Sequence, residues 1–295
     1  MAFTWLAVGV LHWSTPPGAV TVLGYGSNMS PEGMASKGLK PLHSSRAILK
    51  DWKLSFNMRY IGLCDPAMAN VEPCPGAEVH GIATTFSPGD LAKLDQEELC
   101  YDRVTVQVER YAADGGGTFE SDVYVFNQDV LESKPFLKAL LSVEEHPPGK
   151  RYLNLLTSGG RKEQLDDAYL AALESHPVAA LPSLTDYLTA EAREQIDARR
   201  YSMEEVEATA GSDEPLCVLK GVVFTCEPVR KASWGGKDLT LTECLRVRVI
   251  DSLDEMGDDH REWIDAMLAE RLYFAAQPEP RMRVMGQVNY DEYAW

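Results

Sequence analysis

Two short stretches of this 295-residue chain carry residue types that could do chemistry. The first is Gly24-Tyr25-Gly26-Ser27-Asn28, which follows the short apolar run Val20 to Leu23. A strand ending in such a turn offers consecutive backbone N–H groups with little side-chain bulk. They can cradle a carboxylate or stabilise a developing oxyanion. The same composition also makes an ordinary tight turn. The second stretch is Leu94-Asp95-Gln96-Glu97-Glu98. Upstream of it, Ser87 is a good N-cap and Pro88 fits the first helical position, which predicts a helix over 91–98. Glu98, followed by Leu99-Cys100-Tyr101, is then the acid expected to turn inward, with Glu97 left in solvent. Acidic pairs are also ordinary solvated surface.

More of the chain falls into register around these two stretches. Tyr25-Gly26-Ser27-Asn28-Met29 resembles the signature of the γ-glutamylcyclotransferase superfamily, which includes the plant AIG-two-like proteins. The likeness continues through Asp51-Trp52-Lys53-Leu54-Ser55-Phe56-Asn57, Ala69-Asn70-Val71-Glu72-Pro73 and Val79-His80-Gly81-Ile82. It includes Leu94-Asp95-x-x-Glu98 with Tyr101-Asp102-Arg103-Val104, and closes with Pro148-Gly149-Lys150-Arg151-Tyr152-Leu153 and Gly159-Gly160-Arg161. Order and spacing both fit over residues 21–175. The resemblance implies an α+β fold, a mixed β-barrel with flanking helices. It also implies a reaction: the substrate's α-amino group attacks its own γ-amide carbonyl, giving 5-oxoproline and a released amine or amino acid, as in glutathione metabolism. By the same resemblance Glu98 is the general base. Tyr25, Gly26, Ser27 and Asn28 hold the glutamyl head, and Tyr124 and Tyr152 line the pocket, although either tyrosine also reads as core. No metal and no cofactor is implied. Leu99 stands where many active members carry glycine.

Around these motifs the pattern predicts strands over 20–23, 52–58, 78–86, 104–111 and 122–126. From Lys134 the texture turns helical, with apolar spacings of three and four at 152–156 and 165–173. Pro177 and Pro182 mark a break, and a polar amphipathic helix is expected over 185–200. Ser202-Met203-Glu204-Glu205 is a capping box. Val218 to Cys226 reads as strand with Gly221 at its turn, and Arg261 to Phe274 as helix. The expected organisation is an extension at 1–20, a catalytic-type domain at 21–180, a linker helix at 181–198 and a second domain at 199–295.

That second domain, through Tyr201 to Val206, Pro215 to Phe224, Gly236 to Thr240 and Arg261-Glu262-Trp263, resembles cytochrome b5-like domains. The family's His-Pro-Gly-Gly is replaced here by Ser233-Trp234-Gly235-Gly236, so the resemblance implies a module without haem. His260 reads as a surface histidine. A binding or interaction role, with a protein partner, is the expectation for this half.

A net charge of −17, spread over both halves, argues against nucleic acid and anionic membrane surfaces, which demand clustered Lys and Arg. The six cysteines form no CxxC pair and read as free or buried thiols in a reducing compartment. The apolar start, Met1 to Val10, is too short to span a membrane and carries no basic residue, so the default address is cytoplasmic. Two readings of function follow. One is an enzyme that cyclises a small γ-glutamyl substrate. The other is a catalytically inactive two-domain scaffold or accessory subunit of a larger assembly.

Overall fold

The computed structural model describes residues 17–247 and 252–288. Most of the expected extension at 1–20 therefore lies outside the described residues. The chain divides into two compact units. The first takes the described residues up to Arg59, with Met68–Glu145 and Leu153–His176. The second takes Tyr60–Ala67, His146–Tyr152 and the residues from Pro177 onward.

In the first unit one sheet holds β1 (Val20–Gly24), β2 (His43–Tyr60), β3 (Ala67–Phe86), β4 (Asp102–Arg110), β5 (Thr118–Val125) and β6 (Leu141–Val143). Their order is β3-β1-β5-β4-β2-β6, and an additional β2–β3 pairing closes the first five into a mixed barrel. Strand β1 runs parallel to β5 and antiparallel to β3. Two of the strands are far longer than their alternation suggests, because Pro73, Pro75 and Gly76 read as strand breakers. The strand pair survives by bending on both sides at once. Asp51 and Gly76 both take left-handed backbone conformations, at φ 61° and 81°, and the Gly76 N–H donates to Asp51 Oδ1 at 2.8 Å. Both prolines sit exposed, where a missing N–H costs little.

Helices α1 (Pro31–Ser36) and α2 (Pro88–Glu97) connect these strands. Ser30 and Ser87 cap them, each hydroxyl accepting from an N–H at 3.2 Å, Gly33 and Asp90 respectively. One apolar cluster joins Val22 of β1, Met34 of α1, Phe86 at the end of β3, Leu91 and Leu94 of α2, and Tyr124 of β5. That cluster fixes the rotation of α2 about its axis. Helices α3 (Gln128–Ser133), α4 (Lys150–Lys162) and α5 (Asp167–Glu174) follow.

The second unit is built on a sheet ordered β10-β8-β9-β11-β7. Its elements in chain order are α6 (Leu184–Tyr187), α7 (Ala190–Asp197), β7 (Arg200–Tyr201), α8 (Met203–Glu207), β8 (Leu216–Leu219) and β9 (Val222–Thr225). Then come α9 (Lys231–Trp234), β10 (Lys237–Asp238), α10 (Thr240–Cys244), α11 (Asp258–Ala275) and β11 (Val284–Val288). Lys220 and Gly221, both at positive φ, make the two-residue turn between β8 and β9. The single helix expected over 185–200 is two. Thr189 Oγ1 accepts from the Ala192 N–H at 3.2 Å, so it starts a second helix rather than continuing the first. Leu184, Tyr187, Leu188, Ala192 and Ile196 pack against the core formed by Phe224, Trp263, Met267 and their neighbours.

His260 is not a surface residue. Its side chain is fully buried, and Nδ1 accepts from the Gly257 N–H at 3.2 Å. It folds back over the start of α11, the part that Glu or Gln plays in a capping box. The six cysteines are free thiols, and burial pushes the Cys244 thiol up to about 11. Among the described residues, no helix is long and apolar enough to cross a membrane, and no group of three potential ligands could hold a metal ion.

Candidate functional site

The loop after β1 is possible because of two close approaches. A Cβ on Gly81 would lie 2.4 Å from the Gly24 carbonyl oxygen, so glycine lets β3 pair tightly with the end of β1. A Cβ on Gly24 would lie 2.8 Å from the Asn28 carbonyl oxygen, so the loop can fold back over its own strand. Residues Ser27–Met29 form one 3-10 turn, closed by Met29 N–H donating to Gly26 O at 3.1 Å. Tyr25 is buried, and its hydroxyl donates to the Tyr124 carbonyl oxygen at 2.7 Å. The loop is thereby tied to the barrel at β5.

Glu98 is the C-cap of α2, its N–H donating to Leu94 O at 3.0 Å. With Leu91 and Leu94 buried, its side chain is 14% exposed while Glu97 is exposed. Asn28 Nδ2 donates to Glu98 Oε1 at 2.8 Å, joining the glycine loop to this carboxylate across seventy residues of chain. Lys37, the C-cap of α1, donates from Nζ to Asn28 Oδ1 at 2.7 Å and stands 3.6 Å from Glu98 Oε1. Both described partners engage the same carboxylate oxygen.

Asp95 lies one helical turn before Glu98 on the same side of α2. Its Oδ1 accepts from the Tyr124 hydroxyl at 2.7 Å and from Arg103 Nε at 2.9 Å. Arg103 sits opposite Tyr124 in the β4–β5 ladder and also donates to Asp122 Oδ2 at 2.6 Å. Burial first, and the Asp95 hydrogen bond second, push the Tyr124 hydroxyl far above the ordinary tyrosine range. It remains a neutral donor at any physiological pH. Tyr101 packs edge-on to Tyr124, with ring centroids 6.5 Å apart, and donates to Ala69 O at 2.9 Å. Leu99, beside the carboxylate, is 58% exposed.

Of the residues expected at a site, Tyr25, Asn28, Glu98 and Tyr124 come together in the first unit, with Gly26 and Ser27 between them. Tyr152 is buried within the second unit. Sequence reasoning missed Lys37, Arg103 and the role of Asp95. The three-residue spacing from Asp95 to Glu98 on a helix was a usable signal. Arg103 stood in the Tyr101 to Val104 segment without a role, and nothing marked Lys37, since their places depend on how β4 and α1 pack. A cleft of about 430 Å³ lined by His43, Ser44, Arg46, Asp114, Lys162 and Gln164 shares none of these residues. Arg46 there is already held by both oxygens of Asp114 and by Gln164 O.

Comparison with known proteins assigns the region that carries this site. Residues 22–141 match the model of the family described as gamma-glutamyl cyclotransferase, AIG2-like. The first unit carries an AIG2-like domain. Solved structures similar to this chain include a gamma-glutamyl cyclotransferase at 20% identity and TM-score 0.44, covering 54% of this chain and 89% of that one. YkqA from Bacillus subtilis is 19% identical, with TM-score 0.42 and coverage of 55% and 56%. A gamma-glutamyl cyclotransferase specific to glutathione, from yeast, is 16% identical, with TM-score 0.37 and coverage of 53% and 94%. No curated protein sequence matches the chain. In the AIG2-like domain the matched residues contain the end of β1, all of β2 to β5, the glycine loop, Lys37, Asp95, Glu98 and Tyr124.

Proposed function

We propose that the AIG2-like domain cyclises a γ-glutamyl amino acid or amine to 5-oxoproline, with Glu98 as general base. The observation that carries this reading is the hydrogen bond from Asn28 to Glu98, because it builds one site from the glycine loop and an inward carboxylate. Nucleophile and electrophile belong to one molecule, so the site's main task is to hold the substrate folded in a near-attack shape. The second task is proton movement. Glu98 takes a proton from the substrate's α-ammonium, the freed amine attacks the γ-carbonyl carbon, and the amide C–N bond breaks. Glu98 passes that proton to the departing nitrogen. The ring nitrogen gives up its second proton to the same amine, which leaves as an ammonium, so atoms and charge balance without water. Asn28 donates to Oε1 and Lys37 faces the same oxygen at 3.6 Å, which leaves Oε2 as the oxygen for the ammonium. Backbone N–H groups of Gly26 and Ser27 are suited to the oxyanion that develops on the γ-carbonyl. Tyr124, held by Asp95, which Arg103 also pairs, keeps β5 and α2 in fixed register behind the base.

The test is incubation of the full chain with a panel of γ-glutamyl amino acids and amines, assayed for 5-oxoproline. Release of 5-oxoproline with an equimolar amine from at least one member is the expected result. No product from any member, at protein concentrations comparable to substrate, would leave a non-catalytic scaffold as the better reading.

A further inference from the structure

The cations of the elements that build the site differ in what they are attached to. Arg103 is paired with Asp95 and Asp122, Lys134 with Asp102 and the Tyr101 carbonyl, and Lys93 with Asp90 and the Gly38 carbonyl. Lys37 has no carboxylate at hydrogen-bond distance among its described partners. It donates to a neutral amide oxygen on Asn28, and its ion pair with Glu98 is long, at 3.6 Å. The Lys37 side chain is 22% exposed and its ammonium stands 3.6 Å from Glu98 Oε1, so a ligand that reaches Glu98 also meets Lys37.

The substrate class that follows from the cyclotransferase reading brings its own answering charge. Its α-carbon bears an ammonium and a carboxylate, whose nitrogen and nearer oxygen are held about 3 Å apart by covalent geometry. An ammonium docked on Glu98 thus carries a carboxylate to within a few ångströms of Lys37. Docking also neutralises Glu98 as a counter-charge, which leaves Lys37 in need of another. We propose that Lys37 is the subsite for the α-carboxylate of the γ-glutamyl head, and that it makes a free α-carboxylate a requirement for recognition. Lys37 is a specificity-determining residue here, and the proton transfer stays with Glu98. A charge-assisted hydrogen bond in a partly buried site corresponds to about 10- to 100-fold in affinity.

Two measurements test this, and the first does not depend on turnover. Binding of 5-oxoproline is compared by calorimetry with binding of 2-pyrrolidinone, the same ring without the carboxylate. The wild-type chain should prefer 5-oxoproline by about 10- to 100-fold. Lys37→Met should abolish that preference by weakening 5-oxoproline alone, Lys37→Arg should keep most of it, and Glu98→Gln should retain it. In the second measurement, Lys37→Met should raise KM for a free γ-glutamyl substrate more than for its α-methyl ester. Thermal melting of each variant checks folding. Absence of the preference in wild type, binding of neither compound, or equal weakening of both compounds by Lys37→Met overturns the inference. A Lys37-dependent preference without any 5-oxoproline production keeps the subsite and retracts the cyclisation. Turnover without the preference does the reverse.

Discussion

Glu97 and Glu98 are neighbouring acids whose surroundings separate them, and the difference can be read out by substitution. Glu98→Gln keeps size and the contact with Asn28 but cannot take up a proton. Turnover should fall by about 10²–10⁴-fold, the usual worth of a positioned base, with the melting temperature little changed. Glu97→Gln, on the exposed side of α2, should leave turnover within about twofold. Equal losses in steady-state assays of the two variants would dissolve the assignment of Glu98 as base. A second acid shows the opposite side of burial. Glu270 Oε2 accepts from the N–H groups of Leu63 at 2.5 Å and Cys64 at 2.8 Å. Burial nevertheless raises its carboxyl above the ordinary glutamate range. Because the folded state holds this proton more tightly, the group's contribution to stability is full below the ordinary range. It is lost as pH rises through the raised value. Glu270→Gln, which copies the neutral form, should therefore melt higher than wild type at pH 8, with the gap closing toward pH 4. A constant gap across that range in thermal melts would refute the linkage.

At the scale of elements, what sets the site is the way β1, β3 and α2 are brought against each other. Gly81→Ala would drive a methyl group into the Gly24 carbonyl, where only 2.4 Å is available. Backbone cannot give way as a side chain does, so stability should fall by about 1–3 kcal/mol in denaturant melts. The shift also propagates into the loop that carries Asn28, so activity should fall further than the stability loss accounts for. Gly38→Ala is a useful contrast. A Cβ there meets nothing within 4 Å, and its cost comes only from a backbone at φ 67°. That cost should be about 1 kcal/mol, with catalysis unaffected apart from any movement of Lys37. If both substitutions lower activity equally at equal stability, close approach at Gly81 is not what positions the loop.

For the whole molecule, the division into units does not follow contiguous sequence. The second unit includes Tyr60–Ala67 and His146–Tyr152 in addition to everything from Pro177. Cys64 belongs to its core cluster, Leu63 and Cys64 supply the N–H groups bound by Glu270, and Arg151 pairs with Asp65 while lying over the Trp263 ring at 5.4 Å. A fragment of residues 177–295 lacks these partners and would expose a buried carboxylate, a tryptophan face and part of the core. It should unfold without a cooperative transition under conditions where the intact chain melts sharply. A sharp melt and a dispersed amide spectrum from the fragment would show that the two inserted stretches are dispensable.

Much of this was readable before any coordinates, and the readable part is local. Ser87 and Pro88 announced the start of α2, Ser202 to Glu205 announced α8, and Gly221 announced a turn, because caps and turns are satisfied within a few residues. The glycine loop and the inward turn of Glu98 were legible for the same reason, since the helix register follows from Leu91 and Leu94. The paired bend at Asp51 and Gly76 was not legible, because each half looks like a strand end until the other is placed opposite it. His260 was misjudged because burial in a helix start depends on what packs over it. Lys37 came to Glu98 only through the packing of α1 against α2, Arg103 reached Asp95 through the turn from α2 into β4, and the second unit took two stretches from within the span of the first. The sequence alone determined several of the elements and caps and the two motifs that could do chemistry. Tertiary structure decided which charges meet, because a pair sixty residues apart is specified by the packing of whole elements and leaves no periodic trace in the chain.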